Sequence, residues 1–187
     1  MSGAENSKLP VIILDRDGTI VIDRNYLGDP AGLEFLPGAE VGLLRLHDIG
    51  CRMIVITNQS GIGRGLLSVE QVELVNERLR QMVHRLGAKL EAIYFCPHAP
   101  DDRCNCRKPE PGLLMRAGRD LNFEPASAVV IGDKASDMEF GRRVGARAIL
   151  VTNGNAALGA HADVVVSDLD DAARTIESRF LGTGSKS

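Results

Sequence analysis

The chain is poor in the features that mark membrane, secreted or nucleic-acid-binding proteins. Of its 187 residues none is tryptophan and only 4% are aromatic, too few to interleave with basic residues as a base-stacking surface requires. Neither sign of charge dominates. The formal net charge is −3 at pH 7, which offers no general attraction to a polyanion. No apolar run approaches the roughly 18 residues that cross a bilayer, and the start, Met1 to Leu9, lacks the basic region and apolar stretch of a secretory signal. These absences predict a cytoplasmic protein without nucleic-acid or membrane partners, and a monomer by default, since no segment reads as a partner-binding helix. Internal repeats and low-complexity linkers are missing too, so one domain is expected over residues 10–180, between tails at 1–9 and 181–187. Cysteine is scarce, four in all, but three lie within eleven positions. In a reducing compartment that clustering favours metal ligation over disulfides. The fourth, Cys51, opens an apolar run and reads as a small buried hydrophobe.

What is present is an alternation of two patterns. Short apolar runs recur at Val11 to Leu14, Met53 to Ile56, Ala92 to Phe95, Ala128 to Ile131, Ala148 to Val151 and Val164 to Val166, and read as buried strands. Between them helical spacing covers Gly38 to Ile49, Ser68 to Leu86, Pro111 to Leu121, Ala135 to Val144 and Asp168 to Phe180. Ser68 with Gln71 predicts a capping box, while Gly50 and Gly145 are placed to end their helices. The alternation predicts an α/β doubly wound, Rossmann-like parallel sheet, whose chemistry lies in the loops at the strand carboxyl ends.

The first run continues as V-I-I-L-D-R-D-G-T, so Asp15 and Asp17 emerge together at a strand end. Asp-x-Asp-Gly also occurs in calcium loops, but those need a third oxygen ligand before the Gly and a later Glu. Here Gly18 follows directly, and Val21 and Ile22 lie beyond. After the second run comes Thr57-Asn58-Gln59-Ser60-Gly61-Ile62-Gly63-Arg64-Gly65, a polar, glycine-rich loop suited to an anion and equally readable as a plain turn. After the fourth run Gly132-Asp133-Lys134-Ala135-Ser136-Asp137 adds carboxylates to the same sheet edge. Carboxylates so gathered repel one another unless a hard cation such as Mg²⁺ offsets them. Lys108, within Arg107-Lys108-Pro109, brings a positive charge.

The ordered combination resembles the haloacid dehalogenase (HAD) superfamily of phosphohydrolases, over about Val11 to Asp137. The resemblance implies that Asp15 is the nucleophile, forming an aspartyl phosphate, and that Asp17 is the general acid and base. It implies that Thr57 and Lys108 steady the transferring phosphoryl group. It places Mg²⁺ on Asp15, the backbone carbonyl of Asp17 and Asp133, with Asp137 behind them.

Cys96-Pro97-His98 and Cys104-Asn105-Cys106 fit a tetrahedral site of three thiolates and one imidazole. Four protein ligands leave no open position, so zinc there would be structural, ordering a small loop over 96–106 that has no apolar core of its own. With this loop, the chain is similar to the histidinol-phosphatase-like subgroup. The implied substrate is a sugar bisphosphate, a heptose bisphosphate losing its 7-phosphate on the way to nucleotide-activated heptose. Histidinol phosphate is the alternative substrate, and a non-catalytic zinc-stabilised binding module the reading from another class. A second, unreacting phosphate would suit the fork of Arg107, with Lys134 and Arg64 as further candidates. Asp23-Arg24-Asn25-Tyr26 resembles a substrate-contacting turn of the family, and Asn58, Gln59 and Ser60 complete the expected contacts. Arg24 and Arg64 read equally well as solvated loop charges. No segment is long enough for a cap domain.

Overall fold

A run of four apolar residues has no polar face, so it is satisfied only inside a sheet covered on both sides. Val11–Leu14 meets that condition as β1, with no residue more than 6% exposed. The computed structural model describes residues 9–154 and 161–180; the remainder of the expected tails, 1–8 and 181–187, lies outside them. The other runs form β2 (Arg52–Asn58), β3 (Leu90–Cys96), β4 (Val129–Gly132), β5 (Arg147–Val151) and β6 (Val164–Val166). All are parallel, in the order β3-β2-β1-β4-β5-β6. No helix among the described residues is long and apolar enough to cross a membrane.

Side chains alternate across each strand, and the core divides accordingly. Ile12, Leu14, Met53, Val55, Val129 and Ile131 face one side, where α1 (Ala39–Asp48), α3 (Val69–Arg85) and α6 (Leu169–Phe180) cover them. Val11, Ile13, Ile54, Ile56 and Val130 face the other, under α4 (Gly112–Leu121) and α5 (Ala135–Val144). Each aliphatic side chain so buried contributes about 1.5–3 kcal/mol. A Cβ at Gly42 would lie 2.6 Å from the Leu169 carbonyl carbon, so only glycine lets α1 approach α6 this closely. The Ser68–Gln71 capping box forms, with Gln71 N donating to Ser68 Oγ at 3.2 Å and Ser68 N to Gln71 Oε1 at 2.8 Å. Cys51 is buried and free, and burial pushes its thiol up to about 11. The glycine-rich stretch after β2 differs from the expected open loop: Ser60–Gly63 winds into a single helical turn, α2.

The strand order reverses between β1 and β4. The chain moves outward through β2 and β3, then returns to place β4 on the other side of β1. Loops leaving β1 and β4 therefore diverge over opposite faces and open a crevice at the sheet's carboxyl edge. Asp15 and Asp133 stand on its two sides.

Candidate active site

Asp15 follows β1 directly and is 6% exposed. Its backbone N–H donates to Ile131 O at 2.9 Å, which ties the residue to β4. One carboxylate oxygen, Oδ1, accepts from Lys108 Nζ at 2.6 Å. The same ammonium donates to Ile56 O at 2.7 Å and lies 2.7 Å from Asp137 Oδ1. That last contact is a buried ion pair, so the one ammonium bridges the carboxylates of Asp15 and Asp137. Burial alone would lower the basicity of Lys108, but Asp137 and Asp15 outweigh it and hold the ammonium protonated.

Oxygens of Asp15, Asp133 and Asp137 lie within 4.8 Å of one another. Burial, reinforced by repulsion from Asp15 and Asp137 and opposed by Lys134, pushes Asp133 up to about 7. With Asp17, four carboxylates stand against two buried cations, Arg16 and Lys108. That excess of carboxylate charge is what an oxygen-ligated divalent cation offsets. Gly18 makes the approach possible: it sits at φ +87°, and a Cβ there would lie 2.3 Å from Asp133 Oδ2. Asn153, beyond β5, donates to Gly18 O at 2.7 Å and braces the turn.

Asp17 is held differently. Its Oδ2 accepts from Arg16 Nε at 3.0 Å and from Gln59 Nε2 at 2.9 Å, and lies 2.9 Å from Arg16 Nη2 in an ion pair. Thr57 Oγ1 lies 3.5 Å from the same oxygen and accepts from Gln59 Nε2 at 2.9 Å. Asn58 brackets the backbone of Lys108, donating to its carbonyl at 3.1 Å and accepting from its N–H at 3.0 Å. The β2 end thus fixes the lysine that reaches the β1 end.

Cys96, His98, Cys104 and Cys106 converge. Cys96 Sγ lies 3.6 Å from Cys104 Sγ and 3.2 Å from Cys106 Sγ, and His98 Nδ1 lies 3.6 Å and 3.1 Å from Cys96 and Cys106 Sγ. These separations are far beyond a disulfide, about 2.05 Å, and near the roughly 3.8 Å edge of a thiolate tetrahedron built on Zn–S bonds of about 2.3 Å. The donor set fits zinc. The loop is also tied to the site: Gln59 N donates to Cys96 O at 2.8 Å, Gly63 N to Pro97 O at 2.7 Å, and Arg107 Nη1 to His98 O at 3.4 Å.

Above Asp15 opens a cleft of about 330 Å³. Asp15, Asp17, Thr57 and Lys108 line it, as do Asp23, Asn25, Tyr26, Asn58, Gln59, Ser60, Arg107 and Lys134. Asn25 and Tyr26 take left-handed backbone angles, φ 48° and 58°, with Asp23 Oδ1 accepting from Asn25 N at 3.1 Å. Lys134 Nζ reaches across to Asp23 at 3.2 Å. Two expected contacts stay out of this cleft. Arg24 pairs with Glu34 at 2.5 Å on the surface, and Arg64, at the end of α2, is exposed. A single turn of helix at Ser60–Gly63 carries Arg64 outward, which the glycine pattern did not reveal. Sequence reasoning passed over Arg16 and Ser136, which also line the cleft, Asn76, which accepts from Arg16 Nη1 at 2.8 Å, and Asn153. Only Arg16 had a usable signal, a charged residue between two aspartates at the end of a buried strand.

A family model described as HAD-hydrolase-like matches residues 105–172. A Yersinia pestis protein named D-glycero-beta-D-manno-heptose-1,7-bisphosphate 7-phosphatase is 35% identical over 184 residues, spanning 92% of this chain and 97% of its own. A Photorhabdus laumondii protein named for the alpha form of that substrate is 36% identical over 159 residues, with 81% and 87% covered. Among solved structures, the D,D-heptose 1,7-bisphosphate phosphatase of B. bronchiseptica, complexed with magnesium and phosphate, superposes with a TM-score of 0.81 at 29% identity, over 91% of this chain and 99% of its own.

Proposed function

Because this chain belongs to the D-glycero-D-manno-heptose-1,7-bisphosphate 7-phosphatase family of HAD-like hydrolases, we propose that it hydrolyses the 7-phosphate ester of a heptose 1,7-bisphosphate. The products are heptose 1-phosphate and inorganic phosphate, and the product sugar feeds nucleotide-activated heptose. The observation that carries the chemistry is Asp15, a buried carboxylate on the cleft wall with one oxygen held 2.6 Å from a buried ammonium.

In this reading Asp15 attacks phosphorus, and the bond to the sugar O7 breaks as the aspartyl phosphate forms. Asp17 gives its proton to the departing alkoxide. It then takes a proton from the water that attacks the aspartyl phosphate, and Asp15 is regenerated. Lys108 and Thr57 face the phosphoryl oxygens, where positioning and charge stabilisation supply most of the rate. Asp15, Asp133 and the Asp17 backbone carbonyl would hold Mg²⁺, with Asp137 behind them anchoring Lys108. When bound, Mg²⁺ offsets the clustered carboxylates and draws charge from the phosphoryl oxygens. Arg107 and Lys134 would take the 1-phosphate, and Asp23, Asn25, Tyr26 and Ser60 the sugar. Cys96, His98, Cys104 and Cys106 would hold a structural Zn²⁺, which needs reduced thiols and so agrees with a cytoplasmic setting. All these groups lie on one chain, as a monomer requires.

The test is a comparison of initial rates, with Mg²⁺, on both anomers of heptose 1,7-bisphosphate and on histidinol phosphate. A heptose bisphosphate is expected to be turned over with the higher kcat/KM. Preference for histidinol phosphate would overturn the assignment, and no turnover of any phosphate ester would return the chain to a binding role.

A further inference from the structure

Arg16 is among the largest fully buried side chains, 1% exposed, and the hydrolysis described above makes no use of it. A guanidinium taken out of water costs several kcal/mol unless it is paired and hydrogen-bonded. Its partners therefore explain its presence. Nε and Nη2 reach Asp17 at 3.0 Å and 2.9 Å, and Nη1 donates to Asn76 Oδ1 at 2.8 Å. Asn76 is itself 3% exposed and is the polar member of an otherwise apolar buried stripe on α3, with Val72, Val75, Leu79 and Val83. An aliphatic residue would serve that stripe better, since a buried amide is tolerated only when it is bonded.

The arrangement at Asp17 is asymmetric. An arginine fork usually spans both oxygens of a carboxylate, yet here both nitrogens converge on Oδ2. Gln59 and Thr57 approach the same oxygen. Among the described residues, every donor that reaches this carboxylate goes to Oδ2. Oδ1 is left without a protein donor on a residue that lines the cleft.

We propose that Arg16, itself oriented by Asn76, is a positioning residue that pins Oδ2 of Asp17, so that Oδ1 alone carries the proton exchanged with the leaving alkoxide and with water. This rests on the reading of Asp17 as acid and base. It gives α3, a helix whose other inward residues are aliphatic, a direct hold on proton transfer through two hydrogen-bonded side chains. The requirement is geometric, because a rotated carboxyl group presents its proton away from the ester oxygen.

The experiment compares kcat/KM on heptose 1,7-bisphosphate, whose alkoxide must be protonated to leave, with kcat/KM on p-nitrophenyl phosphate, whose phenolate leaves without a proton. This parameter covers the steps up to departure of the leaving group. Asp17→Asn calibrates the assay: the heptose-to-nitrophenyl ratio is expected to fall by about 10²- to 10⁴-fold, the usual share of general acid catalysis. Asn76→Leu, which suits the apolar stripe and does not line the cleft, is expected to lower the ratio about 10-fold or more, as is Arg16→Met. Arg16→Lys keeps the charge without the fork and is expected to restore only part of it. Equal losses on both substrates in the Asn76 and Arg16 variants would mean a merely structural role and overturn the proposal. If Asp17→Asn leaves the ratio intact, the acid and base reading falls first, and the proposal with it.

Discussion

Replacing Lys108 with methionine keeps an unbranched stem of similar length and removes the ammonium that neutralises Asp15 and Asp137. Both carboxylates are buried, 6% and 1% exposed, and Lys108 is 5% exposed, so water cannot take over the role. Removing one partner of a buried ion pair costs about 3–5 kcal/mol, and the stranded Ile56 carbonyl adds to the loss. For a chain of this size each kcal/mol moves Tm by about 2–4 °C, so Lys108→Met should melt roughly 6–20 °C below wild type in metal-free buffer. Turnover should fall about 10²- to 10³-fold, as it does when a transition-state charge donor is lost. The two losses separate on adding Mg²⁺. A divalent cation on the carboxylate cluster relieves the repulsion, so saturating Mg²⁺ should raise Tm more in the variant than in wild type while kcat stays low. Thermal scans with and without Mg²⁺, beside steady-state phosphate release, read both. A metal-free Tm near that of wild type, or an equal Mg²⁺ increment in both proteins, would refute the argument that Lys108 offsets buried charge.

Gly18→Ala places a Cβ against Asp133 at a positive φ; the backbone alone costs about 1–2 kcal/mol, and calorimetry should show weaker Mg²⁺ binding, whereas unchanged affinity would remove Asp133 from the proposed site. Arg107→Ala should raise KM for heptose 1,7-bisphosphate by about 10- to 100-fold, the size of a lost charged hydrogen bond. It should hardly affect a heptose bearing only the 7-phosphate, and equal effects would argue that Arg107 does not read the distal phosphate. Purified protein should contain one zinc per chain by elemental analysis. Chelation should free three thiols to a thiol reagent and open the Cys96 to Lys108 loop to protease; absence of zinc would end that account.

Much of the fold was legible because hydrophobic periodicity is local. β1, β6 and α5 begin and end at the residues their patterns predict, and the remaining strands and long helices differ by one or two residues. The candidate site was legible where a residue's place on a strand end decides its neighbours. Asp15, Thr57 and Asp133 follow or end apolar strands, and parallel strands deliver their ends to one edge. Arg24 and Arg64 were ambiguous for the opposite reason: a loop arginine carries no periodicity, and its direction depends on the local turn. α2 stayed hidden because a turn rich in glycine has no helical pattern of its own.

The sequence by itself determined which chemistry the chain carries: two aspartates at a strand end, a lysine, further acids after β4, and a thiol–imidazole set spaced for a metal. It could not tell which oxygen of Asp17 is held, which side chain holds Lys108, or that an asparagine on α3 reaches Arg16. Those facts belong to the tertiary structure. Asn76 and Arg16 are 60 residues apart, Lys108 and Asp15 are 93 apart, and Asn153 and Gly18 are 135 apart. Contacts across such separations leave no periodic trace in a single chain. They arise only when the reversal of strand order at β1 and β4 opens the crevice and the packing of α3 carries a polar side chain to its edge.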